Sequence, residues 1–397
     1  MAGALLILTY LAIILLIGLL TSIISHRFRI QNILLLLLIG IGLGRVTYKG
    51  GPLIEFPEIF MTGVGILALV MIVFDSASRF KLKRVDYFSL HTLWLSVVFL
   101  VFNLIFLTAF TMLIFDVGDI FLALMFSALM SGTSPSVVLS MFRNIKNKVF
   151  EFLGFESLLN TPLIVLLPFI ILDLKITLKG GIVASKFIEQ LVPFLQQFVV
   201  GIGSGVLIGL IMFKFMRKQY SIVLSPLAVI TSALLAYTIA ENLDGNGVLA
   251  VTSMGLLFGH VYVRQKFQLQ EFALIFSNSL EILVFVLIGI MVAIPFSIDF
   301  FMKSIFLFVL YLLIRFFSIM LSVRGLDFTL KEKIFMSFNV QKGIAVAVVV
   351  FSLATFNISG MEIILNLVLV FMLYSIILSS FIFRLAKFFV RGITEKK

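Results

Sequence analysis

The chain has no cysteine, which removes disulfides, thiolate-held metals and iron–sulfur clusters from consideration. Charge is nearly as scarce. Asp, Glu, Lys and Arg make up 12% of the 397 residues, about half their share in an ordinary soluble domain. Histidine is reduced to His26, His91 and His260, scattered without the spacing of a metal site, so each reads as structural or interfacial. Neither a Ser/His/Asp nor a Cys/His arrangement is present, and no phosphate-binding loop follows a strand, so nothing points to an enzyme or to a bound cofactor. The run Gly201-x-Gly203-x-Gly205 with Gly209 lies inside an apolar stretch, where small residues serve close helix packing. Gly40, Gly42 and Gly44 read the same way.

What the chain has in quantity is apolar surface: 61% of its residues are hydrophobic, and its 45 phenylalanines suit helix faces that meet lipid without a polar partner. Apolar runs of about 20 residues, each long enough to cross ~30 Å of hydrocarbon, recur from end to end. Thirteen candidate spans lie near 4–25, 31–46, 59–78, 87–115, 118–142, 149–174, 188–213, 221–241, 246–263, 268–296, 299–323, 334–356 and 360–383. The first lacks a basic leader and is too long for a signal-peptide core, so it reads as a retained span. The loops are short. The expectation is therefore an all-α membrane protein of about 13 transmembrane helices, one membrane domain over 1–397, at the plasma membrane.

Acidic residues are outnumbered 19 to 30, and a net charge of +11 in a soluble chain would suggest nucleic acid. The loops account for it instead. Those after odd-numbered spans hold 22 of the 30 Lys and Arg, whereas those after even-numbered spans hold 6: Arg45, Lys49, Lys175, Lys179, Lys186 and Lys303. Arg45 and Lys303 lie near span ends, and only Arg315 and Lys342 fall deep inside spans. The asymmetry places the N-terminus outside and the C-terminus in the cytoplasm, which requires an odd number of spans.

Two spans are interrupted. The fifth contains Ser131-Gly132-Thr133-Ser134-Pro135, where glycine, hydroxyls and proline break helical hydrogen bonding within the membrane. The twelfth contains Asn339-Val340-Gln341-Lys342-Gly343. They stand seven spans apart, so they cross the membrane in opposite senses. Paired broken helices of opposite sense are the signature of inverted-repeat transporters with a site near the midplane.

Ionisable groups inside spans cost about 2.5–3.5 kcal/mol at a helix centre on insertion scales, so each requires a reason. Asp75, Glu156, Glu281 and Lys342 stand out; Arg315 and Asp173 are weaker candidates, Asp173 because it sits beside Lys175 at a membrane boundary where solvation suffices. Glu156, Ser157 and Asn160 share one face of the sixth span. At ~1.5 Å per residue, Asn160 lies roughly 16 Å deep and Lys342 roughly 12 Å deep, and Thr133 and Ser134 fall at a similar level. This convergence fits either a midplane ion site or independent interhelical hydrogen bonds. Glu281 is either a structural acceptor or a second titrating group.

The ordered set of Phe74-Asp75, Thr133-Ser134-Pro135, Glu156-Ser157-x-x-Asn160, Gly245-Asn246-Gly247-Val248-Leu249-Ala250-Val251 with Gly255-Leu256-Leu257-Phe258-Gly259, Glu281-Ile282-Leu283-Val284-Phe285-Val286-Leu287-Ile288-Gly289, and Lys342-Gly343-Ile344-Ala345-Val346-Ala347 resembles the sodium/proton exchangers, the NhaP-like kind of the monovalent cation/proton antiporter superfamily. The resemblance covers nearly the whole chain. It departs at two places: the family usually has Thr-Asp-Pro at 133–135 and Asn-Asp, or two aspartates, at 160–161, where this chain has Ser134 and Thr161. It also has Lys342 where the electroneutral branch commonly has arginine, and a buried lysine can take part in proton exchange.

The resemblance implies exchange of a monovalent cation, Na⁺ first and K⁺ second, for H⁺ by alternating access. Spans over 87–174 and 299–383 would form the ion-binding unit, and 4–78 with 188–296 the scaffold of a homodimer. It makes Asp75 the surviving site carboxylate, with Asn160 as a second cation ligand. Thr133, Ser134, Ser157, Asn160 and Thr161 can offer neutral oxygens, as hard cations prefer. Glu156 is expected to pair with Lys342 and tie the broken units together. The missing aspartates keep open an uncoupled cation transporter and a non-transporting scaffold or sensor.

Overall fold

In the computed structural model, residues 1, 29–31, 49–50, 53, 55, 80–86, 134–146, 178–186, 219–220, 262, 292–294, 296, 355, 357 and 392–397 are not described; all others are. The described chain is helical apart from a two-rung antiparallel ladder, β1 (Thr47–Tyr48) with β2 (Gly51–Pro52). Among the described residues, eight helices are long and apolar enough to cross a membrane, and four shorter apolar helices accompany them.

Close helix approach is set by small residues. Helix α2 (Asn32–Arg45) packs on α11 (Lys266–Met291) with Gly40 against Gly289 and Gly44 against Ile290; a Cβ on Gly40 would stand 2.5 Å from the Val286 carbonyl. Helix α8 (Phe187–Lys218) lies on α10 (Gly247–His260) in the same manner, with Gly205 pressed on the Ala250 carbonyl. Gly42 and Gly203 point into open space, so the glycine rows read from the sequence have one packed face each. Helix α3 (Glu58–Arg79) completes this group against α10, where Gly255 meets Ala77 and the Phe74 backbone. Helices α1 (Ala2–Phe28) and α9 (Leu224–Asn242) also belong to it, α1 on α2 and α9 between α8 and α10.

The second group surrounds the interrupted segments. Helix α6 (Ile120–Met130) starts at an N-cap, Asp119, whose carboxylate accepts from the Phe121 N–H, and stops after eleven residues at Ser131 and Gly132. Helix α13 (Leu330–Phe338) starts on a Thr329/Glu332 capping box; after non-helical residues 339–343 the chain resumes as α14 (Ile344–Ala354). The interruption at 339–343 falls where the sequence placed it, and 131–133 are non-helical as expected, while Ser134 and Pro135 lie outside the described residues. Around them pack α7 (Lys148–Thr177), α12 (Ile298–Ser322) and α15 (Met361–Arg384), the last followed by a short α16 (Ala386–Phe389).

One irregularity had no sequence expectation. The fourth span is not one α-helix but α4 (Tyr87–Phe102), a π-turn over Asn103–Leu107, and α5 (Thr108–Phe115). The π-turn sits beside the α6 break: Asn103 Nδ2 donates to Ser131 Oγ at 3.1 Å and the Thr108 hydroxyl to Ser127 Oγ at 2.9 Å. Wide turns of this kind gather at functional positions in helices.

Candidate functional site at the broken-helix crossing

The two interruptions meet through one side chain. Lys342, 0% exposed, donates from Nζ to the Met130 carbonyl at 2.5 Å, the Gly132 carbonyl at 2.6 Å and the Tyr311 hydroxyl at 2.6 Å. A helix leaves its last carbonyls without intrahelical partners and carries negative partial charge there, so an ammonium at the end of α6 satisfies both. Its backbone N–H donates to Ser375 Oγ on α15, and the ammonium stands 4.7 Å from the Tyr311 ring centre.

The expected Glu156–Lys342 pair is not formed. Glu156 instead takes a two-pronged bond from Arg315 of α12, Nη1 to Oε1 at 2.5 Å and Nη2 to Oε2 at 2.6 Å, with both side chains 0% exposed. The planar fork of arginine matches a carboxylate through two parallel bonds, whereas the compact lysine ammonium suits converging carbonyls. Asn160 Nδ2 adds a 3.3 Å bond to Glu156 Oε1, and the Phe99 ring lies 4.6 Å under the guanidinium. Arg315 and Tyr311 are one helical turn apart on α12, so that turn holds both buried basic groups. Arg315 thus matters more than its sequence context suggested. Tyr311 and Asn103 were not singled out at all, although a tyrosine four residues before an in-span arginine was a readable signal.

The other expected residues divide. Thr133 and Asn160 are buried, and the Thr133 hydroxyl has no hydrogen-bond partner among the described residues. Ser157 is buried and donates to the Gly154 carbonyl at 3.3 Å. Ser134 lies outside the described residues; Thr161 is within α7, but its side chain is not described. Asp75 belongs to a different network. It sits one turn, about 6 Å, from the end of α3. Arg79 donates to its Oδ1 from Nε at 2.9 Å and from Nη2 at 2.8 Å. The two expected cation ligands, Asp75 and Asn160, therefore occupy different helices and different hydrogen-bond systems. Glu281 is half-buried on α11.

At the opposite end of the helices from Arg79, a cavity of ≈ 450 Å³ opens between α3, α8, α9 and α10 on one side and α7 and α14 on the other. Asp173, Glu241 and Asp244 line it with Gln197, Tyr237 and Asn246. Asp173 is thus more than a solvated boundary residue: its carboxylate accepts from Asn246 Nδ2 at 3.3 Å, while Glu241 accepts from the Gly247 N–H at 2.8 Å.

Two interrupted helices joined by buried charge, with an acidic cavity between two helix groups, define a polytopic membrane protein of the transporter class. Residues 11–387 match the family model described as sodium/hydrogen exchanger, transmembrane, and the chain belongs to that family. It is 25% identical over 277 residues to the Na(+)/H(+) antiporter ApNhaP of Aphanothece halophytica, an alignment covering 67% of this chain and 51% of the relative. It is 25% identical over 257 residues to the K(+)/H(+) antiporter NhaP2 of Shewanella sp. (strain MR-4), covering 63% of this chain and 43% of the relative. These alignments thus span about half the length of those relatives. In fold it is similar to the sodium proton antiporter MjNhaP1 of Methanocaldococcus jannaschii at pH 8, with TM-score 0.75 at 20% identity over 96% of this chain and 100% of that one.

Proposed function

We propose that the protein exchanges a monovalent cation, Na⁺ first and K⁺ second, for H⁺ by alternating access across the plasma membrane. Relatives carrying both Na⁺/H⁺ and K⁺/H⁺ names support cation/proton exchange and leave the cation to be measured. The observation that carries the reading is the buried charge at the crossing: two basic side chains, Arg315 and Lys342, against one carboxylate, Glu156, all 0% exposed. Uncompensated charge is expensive where water is excluded. Lys342 is held only by neutral acceptors, and we assign the exchanged proton to it because positions 134 and 161 carry no aspartate.

In this reading the groups 87–174 and 299–383 move against 4–78 and 188–296, the second group also forming a homodimer contact. The basic-loop asymmetry puts the acidic cavity outside and Arg79 at the cytoplasmic end. Cations enter past Asp173, Glu241 and Asp244, pass the neutral oxygens of Thr133, Ser157 and Asn160, and reach Asp75, the carboxylate at the inner mouth. Ser134 and Thr161 are assigned to the same path.

Proteoliposomes loaded with a pH-sensitive dye and given Na⁺, K⁺ or Li⁺ outside test it. Cation-driven internal alkalinisation is expected, abolished by Asp75→Asn and by Lys342→Met in protein that still folds. The neutral pair Asn160-Thr161 favours one second reading, an uncoupled cation transporter. Ion flux without a pH change identifies it, and neither flux nor cation-dependent stabilisation identifies a non-transporting scaffold.

A further inference from the structure

We infer that Arg79 is a tethered competitor of the transported cation at Asp75 and sets the apparent cation affinity on the Arg79 face of the protein. The inference rests on the proposed exchange reading with Asp75 as a cation ligand. Its own ground is the geometry of the last turn of α3. A carboxylate there faces the negative end of the helix dipole and needs a compensating positive charge. Arg79, i+4 to Asp75, supplies it with two bonds, both to Oδ1, at 2.9 and 2.8 Å. The Asp75 side chain is 12% exposed and the Arg79 side chain 35%, so the pair is not sealed within the core.

The guanidinium is also held from across the helix interface. Arg79 Nη2 donates to the Gln270 carbonyl of α11 at 3.1 Å, and Gln270 Nε2 returns a bond to the Ser78 carbonyl at 2.7 Å. Ser78 Oγ closes the turn on the Asp75 carbonyl at 2.9 Å. This clasp fixes the arginine over the carboxylate. A cation arriving from the same end meets Asp75 already neutralised, and its apparent dissociation constant is raised by the inverse of the fraction of time that Arg79 is away. For a partly exposed pair, that factor is about five at most.

The test is the thermal unfolding midpoint of the purified full chain in detergent, titrated with NaCl, KCl or LiCl against choline chloride at equal ionic strength. In Arg79→Gln the half-saturating cation concentration should fall about two- to five-fold. In proteoliposomes of one orientation the same fall should appear for cation presented at the Arg79 face and not at the other. Arg79→Lys, which keeps the charge but loses the planar fork that reaches Asp75 and the Gln270 carbonyl together, should move it the same way by less, and serves if Arg79→Gln does not fold. A lower midpoint in choline with an unchanged half-saturating concentration would mean that the pair is only structural, and overturns the inference while leaving exchange intact. If the wild type shows neither cation-specific stabilisation nor exchange, the functional reading and this inference fail together.

Discussion

At the scale of single residues, three buried side chains dominate the energetics. Glu156, Arg315 and Lys342 are each 0% exposed, so any one left unpaired keeps its full desolvation cost. Glu156 and Arg315 compensate one another directly, whereas Lys342 relies on two carbonyls and a phenol. Removing one partner of a buried pair costs about 3–5 kcal/mol. Glu156→Gln and Arg315→Met should each lower stability on that order, and the double variant should recover part of the loss. Glu156→Gln with Lys342→Met should recover less. Unfolding midpoints of the three singles and two doubles in detergent decide it; greater rescue with Lys342 would reverse the assignment. The family resemblance implied that Glu156 belongs to an ion pair, with Lys342 as its partner. The partner is Arg315 instead, because the choice depends on how α12 approaches α7, which nothing local in the sequence specifies.

At the scale of elements, legibility followed how far the chemistry is local. The breaks at 131–133 and 339–343 were readable because glycine, hydroxyls and a charge act on their own helix. The π-turn at Asn103–Leu107 was not, because an asparagine in an apolar run gives no local reason for a wider turn; its partner Ser131 is 28 positions away. The glycine rows were readable as packing, but which glycine faced a neighbour was not. That distinction is testable within one helix. A Cβ on Gly205 would lie 2.0 Å from the Ala250 carbonyl, a contact that only backbone movement relieves, whereas nothing stands within 4 Å of one on Gly203. Gly205→Val should cost at least about 1–3 kcal/mol. Gly203→Val should stay within about 0.5 kcal/mol of wild type. Equal losses in detergent unfolding would mean that α8 and α10 do not approach as described.

At the scale of the whole molecule, the arrangement is one of opposed ends. The acidic cavity lies between the two helix groups at one end, and the Arg79–Gln270 clasp lies at the other. The absence of cysteine makes this testable, because any thiol introduced into the chain is the only one present. Thr62 lines the cavity, and Gln268 is exposed at the start of α11 near the opposite end. With the N-terminus outside, an impermeant maleimide added to intact cells should label Thr62→Cys and should label Gln268→Cys only after permeabilisation. The reverse pattern would invert the orientation drawn from the 22 and 6 basic loop residues. Labelling of Thr62→Cys from both faces, at equal rates and without dependence on cation, would describe a continuous aqueous path. A protein with such a path cannot hold one side shut while the other opens, so that outcome would count for the uncoupled transporter over the exchanger.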